Sequence, residues 1–198
     1  YILVDPALLE ESRVAIVDLG NACWTHKHFS DDIQTRQYRC PEVILGSDYD
    51  NSADMWSLAC IIFELLTGDL LFDPRSGDGY ERDEDHLAQC IELLGNFPRR
   101  VTQSGKYARN FFNKKGDLKH ISSLRFWSLR DVLHEKYHFP VAEACEIADF
   151  LCPLLEFHPS KRATALQCLS TSFAQEGGVC PRDHEEDGNN TLSCIPTS

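Results

Sequence analysis

Asp18 and Gly20 follow the apolar run at residues 14–17 and are the first residues whose types and spacing suggest chemistry. A carboxylate at the end of a strand can bind a divalent cation, because magnesium prefers carboxylate oxygens. Aspartate and glycine are also favoured in turns, so the pair taken alone indicates only that a strand ends there. A metal site and an ordinary turn therefore both fit these residues.

Three charged residues further along the chain are informative because of the order in which they occur. Glu42 lies in "TRQYRCPE", Asp54 in "DMWSLAC" and Arg162 in "HPSKRAT". By type alone, Glu42 is a surface charge, and Asp54 is a carboxylate that stabilises the first turn of a helix. All three residues follow Asp18-x-Gly20 along the chain. The four motifs taken together, in this order, indicate a family more specifically than any one of them does.

This ordered set resembles the activation segment and large-lobe helices of a eukaryotic protein kinase. Residues 18–20 stand at the family's Asp-Phe-Gly position, residues 40–42 at Ala-Pro-Glu, and residues 54–57 open the central helix. The resemblance implies ATP and Mg²⁺ as cofactors, with Asp18 as a metal ligand. Gly20 is then a structural residue of the motif.

The same resemblance implies a role for each of the other candidate residues. It implies that Glu42 pairs with Arg162 to hold the substrate platform, and that Asp54 holds the backbone of the catalytic loop. Thr35 aligns with the threonine that serine/threonine kinases place near the catalytic base, and Arg36 follows it in the substrate site. The acceptor predicted from this alignment is a serine or threonine hydroxyl.

Longer stretches narrow the resemblance to the SR-protein kinases, which phosphorylate serines in Arg-Ser repeats of splicing factors. The similar segments include "DLGNACW", "RDEDHLA" and "FFNKKGDLKHI", and the resemblance runs from about Arg13 to Leu169. The alternative is a Clk-type (LAMMER) kinase. Such a kinase carries its namesake motif in the helix where this chain has "DEDHLAQCIELLG", so we disfavour it.

Carboxylates are concentrated between Asp69 and Glu92, a segment that contains eight Asp or Glu residues and only two arginines. Asp85 and Glu92 are seven residues apart, so they lie on one face of a helix. A solvated helix face is the simpler interpretation. The resemblance implies instead an acidic docking groove for arginine-rich partners, built from Asp69, Asp85 and Glu92 with Lys136.

The sequence pattern predicts an α-rich fold with a few short N-terminal strands. The resemblance implies that this is the large-lobe portion of the kinase fold (α+β overall). The strands are predicted at 1–5 and 14–18, and the partial kinase domain spans 1–169 with an insertion at about 96–127. The predicted helices begin near residues 41, 52, 83, 128, 141 and 164. Ser52 and Thr164 are the predicted N-caps and Gly68 the C-cap. Residues 170–198 are predicted to be a disordered polar tail.

Composition excludes several classes of function. The formal net charge of −12 argues against a direct nucleic-acid partner, and no apolar run is long enough to span a membrane. The nine cysteines show no zinc-site or disulfide spacing. We read Cys60, Cys90 and Cys152 as buried thiols of a reducing compartment. We therefore expect the protein to be located in the cytoplasm and nucleus. We also expect it to be a monomer.

Several parts that a working kinase needs do not occur in these 198 residues. There is no glycine-rich loop, no strand lysine with its glutamate partner, and no catalytic loop with the base aspartate. We therefore expect no catalytic residue in this chain and no activity from it alone. A non-catalytic module that docks arginine-rich proteins is the alternative.

Overall fold

The computed structural model describes residues 14–175. The chain divides into two units, Tyr1–Ile33 and Gln34–Ser198. In the first unit, a short 3₁₀-helix at Leu19–Asn21 is followed by an antiparallel bridge between Trp24 and Lys27. The predicted strand at residues 1–5 lies outside the described residues.

The strand predicted at Val14–Asp18 is wrong. Residues 14–18 form no regular secondary structure and have no strand partner among residues 14–175; Val14 is 96% exposed, and the backbone of Asp18 is left-handed. Apolar β-branched residues give a strand only where a neighbouring strand satisfies their backbone and covers their side chains. The described residues contain isolated bridges and no longer ladder, so the α-rich prediction holds for this part of the chain.

The second unit is built from helices. The α-helices, which we number in chain order, are α1 Pro41–Leu45, α2 Ser52–Thr67, α3 Arg82–Leu94, α4 Arg99–Thr102, α5 Ala108–Phe111, α6 Leu129–Asp131, α7 Val141–Leu151, α8 Ala165–Leu169 and α9 Ser172–Gln175. Short 3₁₀-helices lie at Arg36–Tyr38, Cys152–Leu155 and Pro159–Lys161, and a π-helical turn, Val132–Lys136, continues α6.

Helix α2 is the centre of this unit. Trp56 is fully buried, and its ring stacks on Phe72 and Phe157 at centroid distances of 5.8 and 6.3 Å. The predicted C-cap is confirmed, since Gly68 has a φ of 79° and its N–H donates to the Glu64 carbonyl. The N-cap prediction is wrong by one residue: Asn51 precedes the helix and Ser52 is already helical.

Helix α3 has the predicted apolar side. Leu87, Cys90 and Ile91 are buried, whereas Leu94 is half-buried at the end of the helix. The buried set also includes His86, whose ring lies 5.3 Å from that of Phe72. Among the carboxylates of this helix, Asp83, Asp85 and Glu92 are half-buried and Glu84 is buried.

The segment at 96–127, predicted as an irregular insertion, is anchored to the core. The Phe97 ring lies 4.0 Å from that of Phe157 and 5.6 Å from that of Phe112. The Tyr107 N–H donates to the Leu45 carbonyl at 2.9 Å, which ties the insertion to α1. The segment therefore has a fixed course although its helices are short.

The C-terminal end of the described chain differs in part from its prediction. Thr164 is the N-cap of α8 as predicted, and with Gln167 it forms a capping box. Helix α9 lies within the tail predicted to be disordered, and its Phe173 ring stacks on Phe150 at 4.3 Å. Burial of this aromatic ring outweighs the polar composition around it. Residues 176–198 of the predicted tail lie outside the described residues.

Two of the three thiols predicted to be buried are buried, Cys60 and Cys90, whereas Cys152 is exposed. The prediction assumed that an α-helix continues through Cys152. The chain instead begins a 3₁₀-turn at Cys152, which has a different number of residues per turn, so its side chain lies on the exposed side. Among the described helices, none is both long and apolar enough to cross a membrane.

Candidate functional site

A buried ion pair joins Glu42 to Arg162. The two guanidinium nitrogens of Arg162 donate to the two carboxylate oxygens at 2.7 and 3.0 Å. The residues are 3% and 4% exposed. This bidentate geometry is the strong form of the interaction, and it is the pair that the sequence predicted.

Arg162 also donates to two backbone carbonyls. Nη1 also donates to the Ser52 carbonyl and Nε to the Glu156 carbonyl, each at 3.0 Å. The guanidinium carbon lies 5.3 Å from the centre of the Trp56 ring, so a cation–π contact adds to these bonds. Hydrogen bonding by Glu42 keeps the pKa of Arg162 above its usual value despite burial. The pair ties α1 to the start of α2.

Gln34 is the residue of this site that the sequence analysis missed. Its Nε2 donates to the Ala53 carbonyl at 2.7 Å and to Ser57 Oγ at 2.8 Å. Its Oε1 accepts from the Cys40 N–H at 2.9 Å. Gln34 has a φ of 68°, which a glutamine rarely adopts and which the three hydrogen bonds maintain. No motif signalled it, because it contacts residues of α2 far along the chain.

Thr35 and Arg36, the predicted substrate-site residues, have different surroundings. Thr35 is exposed and precedes the 3₁₀-turn Arg36–Tyr38, so its hydroxyl is accessible. The Arg36 guanidinium is bonded to the Asp83 carboxylate of α3. Arg36 therefore connects the activation segment to α3, and Asp83 is a partner that the sequence analysis did not identify.

Asp54 lies in the first turn of α2, as predicted, and is exposed. Partial desolvation by the neighbouring protein raises the pKa of its carboxyl above the usual value. The backbone that the resemblance implies it holds would come from a catalytic loop, and the 198 residues contain none. The structure therefore places an exposed carboxylate at the predicted position.

Asp18 is exposed and has a φ of 60°, a left-handed conformation uncommon for aspartate. Such backbone conformations concentrate at ligand sites. Magnesium takes one or two carboxylates together with phosphate oxygens, so one accessible aspartate fits part of its donor set. Residues 14–175 contain no cluster of three or more His, Cys, Asp or Glu that could hold a metal without such a nucleotide.

The predicted groove residues form two groups of contacts. In the first, Asp69 Oδ2 accepts from Tyr137 Oη at 2.8 Å and from Lys136 Nζ at 3.3 Å. These bonds hold the pKa of Asp69 below its usual value. Lys136 lies 4.5 Å from the centre of the Tyr137 ring. The charges of Asp69 and Lys136 thus offset each other.

The second group belongs to α3. Asp85 Oδ2 accepts from the Arg75 backbone N–H and from Gln89 Nε2, both at 2.8 Å. Glu92 Oε1 accepts from the Arg125 backbone N–H at 2.7 Å. All three donors are neutral groups. Within residues 14–175, neither carboxylate forms an ion pair closer than 4 Å.

The family of this chain follows from its similarity to known proteins. The sequence matches the protein kinase domain family over residues 2–174. The chain belongs to that family.

Among its relatives are kinases of the SR-protein kinase group, as the longer motifs predicted. The chain is 60% identical over 163 residues to protein kinase dsk1 of Schizosaccharomyces pombe, covering 82% of this chain and 30% of that protein. It is 52% identical over 166 residues to human SRSF protein kinase 3, covering 84% and 29%. With serine/threonine-protein kinase SRPK of Physarum polycephalum the identity is 58% over 161 residues, covering 81% and 38%. The chain thus spans about a third of the length of these relatives.

Proposed function

We propose that this chain is the substrate-binding part of a serine/threonine kinase that phosphorylates serines in Arg-Ser-rich splicing factors. In the complete kinase, ATP and Mg²⁺ are the cofactors and Asp18 is a ligand of the metal. Magnesium, when bound with ATP, neutralises charge on the transferred phosphoryl group. The proposed location is the cytoplasm and nucleus, and the proposed state is a monomer.

One observation carries the choice of substrate: the uncompensated carboxylates of α3. Asp85 and Glu92 accept hydrogen bonds from neutral donors alone, and within residues 14–175 Asp85 Oδ1 and Glu92 Oε2 accept none. Guanidinium groups pair with carboxylates through two parallel hydrogen bonds. Two such carboxylates two helical turns apart suit a peptide in which arginine recurs, and charge attraction would accelerate its capture.

The remaining residues position the substrate for phosphorylation. The Glu42–Arg162 pair and Gln34 fix the activation segment to α2, so the exposed Thr35 hydroxyl is held where a substrate serine would approach. Holding reacting groups in position is the protein's main contribution to phosphoryl transfer. Lys136 orients Asp69, and we assign that pair to the edge of the docking groove.

The test is binding of a fluorescent Arg-Ser peptide to the chain with Asp85→Ala and Glu92→Ala together. Each exposed pair is worth about 0.2–1 kcal/mol, so we expect affinity to fall by about 2- to 30-fold at low salt. The dependence of the dissociation constant on NaCl concentration should also become shallower. Fluorescence anisotropy at 0.05 and 0.5 M NaCl measures both.

The matched control is Glu146→Ala with Asp149→Ala, which removes two exposed carboxylates from α7 instead. The control variant should bind almost as the unmodified chain does. Equal losses in the two double variants would assign binding to the overall negative charge and would overturn the docking groove.

The 198 residues contain no base aspartate and no glycine-rich loop, and we propose that this polypeptide alone does not bind Mg-ATP tightly. The expected thermal shift on adding Mg-ATP is close to zero. A shift of several degrees would show that the chain holds nucleotide with its own residues, and Asp18→Asn would then test whether it does so through Asp18.

A further inference from the structure

The insertion has a charge opposite to that of the rest of the chain. Residues 96–127 include eight Lys or Arg and one Asp, in a protein with a formal net charge of −12. All eight cationic side chains are exposed. A cationic region on an acidic protein attracts anions locally, and it is not explained by a preference for arginine-rich substrates.

A cavity lies beneath this cationic surface. It has a volume of about 510 Å³ and is formed between the end of α3, α4 and the turn at residues 113–117. Arg99 and Lys115 line it, together with four neutral polar residues, Asn96, Thr102, Asn113 and Ser122. Phe97 and Leu118 provide part of its apolar wall. Pockets that bind small organic ligands have volumes of this order.

The two cations of the cavity are not neutralised by the protein. Within residues 14–175, neither Arg99 nor Lys115 takes part in an ion pair closer than 4 Å. Asp117 is the one acidic residue of the lining, and its carboxylate accepts from Asn113 Nδ2 at 3.2 Å. The lining as a whole therefore keeps a positive charge.

The turn that carries Lys115 is held in place. Asn113 Oδ1 accepts from the backbone N–H groups of Lys115, Gly116 and Asp117 at 2.7, 3.0 and 3.1 Å. Gly116 has a φ of 99°, and a Cβ atom there would lie 3.3 Å from Thr102 Oγ1. The turn thus approaches α4 closely, and the Lys115 backbone has little freedom to move away from the cavity.

We propose that this cavity binds a phosphate group, either free phosphate or the phosphomonoester of a phosphorylated serine. A guanidinium can contact two phosphate oxygens at once, and an ammonium adds a compact charge. The Thr102 hydroxyl already donates to the Arg99 carbonyl, so the neutral donors that remain are the Ser122 hydroxyl and the amides of Asn96 and Asn113. Two cations with these donors match a dianion with three terminal oxygens better than a carboxylate with two. The apolar wall lowers the local dielectric and so strengthens these charge interactions.

The test compares two double variants of equal charge. Arg99→Ala with Lys115→Ala removes the two cations that line the cavity, whereas Arg100→Ala with Lys114→Ala removes their exposed sequence neighbours, which do not line it. The probes are inorganic phosphate, a capped Gly-phosphoserine-Gly peptide and its unphosphorylated form, each titrated calorimetrically into the full chain. Circular dichroism checks that each variant is folded.

The unmodified chain and the neighbour variant should bind the phosphorylated probes alike. The cavity variant should lose about tenfold or more in affinity, because charge-assisted hydrogen bonds are lost. Asp117→Asn should bind more tightly, because it removes the one carboxylate of the lining. Tighter binding of the phosphopeptide than of inorganic phosphate assigns the site to a phosphomonoester, and the reverse order assigns it to free phosphate. Equal losses in both double variants, or no saturable binding to the unmodified chain, would overturn the proposal.

Discussion

Arg162 is a single side chain on which three segments of the second unit depend. Each of its three nitrogens donates a hydrogen bond, to Glu42, to the Ser52 carbonyl or to the Glu156 carbonyl. Removing one partner of a buried pair leaves a buried charge without compensation, which is far less favourable than removing both. The pair thus determines where α1 lies against α2.

Glu42→Gln should lower the free energy of unfolding by about 3–5 kcal/mol, because Arg162 would keep a buried charge without a carboxylate. Urea denaturation at pH 7 measures the change. Asp131→Asn is the control, since it removes an exposed pair with Arg130, and exposed pairs contribute little. If the two variants have equal midpoints, the buried pair does not hold the site together.

His86 predicts how stability depends on pH. Burial, followed by the nearby charges of Arg36 and Arg39, lowers its pKa from 6.5 to about 3. The folded protein therefore keeps His86 neutral, while the unfolded chain takes up a proton below pH 6.5. Because the unfolded state binds more protons there, stability is complete above pH 6.5 and is lost as pH falls towards 3.

His86→Leu should remove this contribution. Between pH 6.5 and 4, the unmodified chain should lose up to about 1.4 kcal/mol per pH unit more than the variant does. Urea denaturation at pH 7, 6, 5 and 4 gives the two slopes, and the carboxylates common to both proteins cancel in the difference. Parallel slopes would show that His86 is not responsible.

At the scale of elements, the connection between α1 and the insertion depends on the close approach of two backbones. Gly105 has a φ of 84°, and a Cβ atom there would lie 2.3 Å from the Leu45 carbonyl oxygen. The adjacent N–H groups of Lys106 and Tyr107 donate to the carbonyls of Gly46 and Leu45 at 3.1 and 2.9 Å. A side chain at residue 105 would force these hydrogen bonds apart.

Gly105→Ala should therefore destabilise the chain more than Gly68→Ala. Gly68 also has a positive φ, of 79°, but nothing lies within 4 Å of its Cβ position. That variant should lose only the left-handed preference, about 1–2 kcal/mol. Thermal unfolding of both variants shows the difference, and equal losses would mean that the insertion is not tied to α1 through this contact.

The helices were predicted where their signals are local. Helix α2 was predicted because its apolar residues and Gly68 lie within one continuous segment. The strand at 14–18 was not formed, because a strand depends on a partner elsewhere in the chain. Gln34 was missed for the same reason: its hydrogen bonds reach residues 19 and 23 positions away. Ion-pair prediction succeeded at Glu42 and Arg162 because a family resemblance supplied the long-range pairing.

At the scale of the whole molecule, the distribution of charge should control how fast an arginine-rich peptide is captured. In the proposed docking groove, the carboxylates of α3 would attract this peptide, and the cationic insertion would repel it. Arg100→Ala with Lys114→Ala should therefore raise the association rate constant at 0.05 M NaCl. The increase should disappear at 0.5 M NaCl, where screening reaches only a few ångströms.

Stopped-flow fluorescence with a labelled Arg-Ser peptide measures this rate. Asn110→Ala, a neutral change at an exposed residue of the insertion, should leave the rate unchanged. If the cationic double variant associates at the original rate at both salt concentrations, the charge of the insertion does not act on the substrate.

The Glu42–Arg162 pair also has a consequence for the order of folding during synthesis. The two residues are 120 positions apart in the chain. At about 5–20 residues per second, a ribosome needs about 6–24 s to add Arg162 after Glu42. Until then α1 has no cation to receive its buried carboxylate, so the nascent chain must keep that region open to water. A polypeptide that ends before residue 162 should therefore remain a substrate for chaperones and proteases.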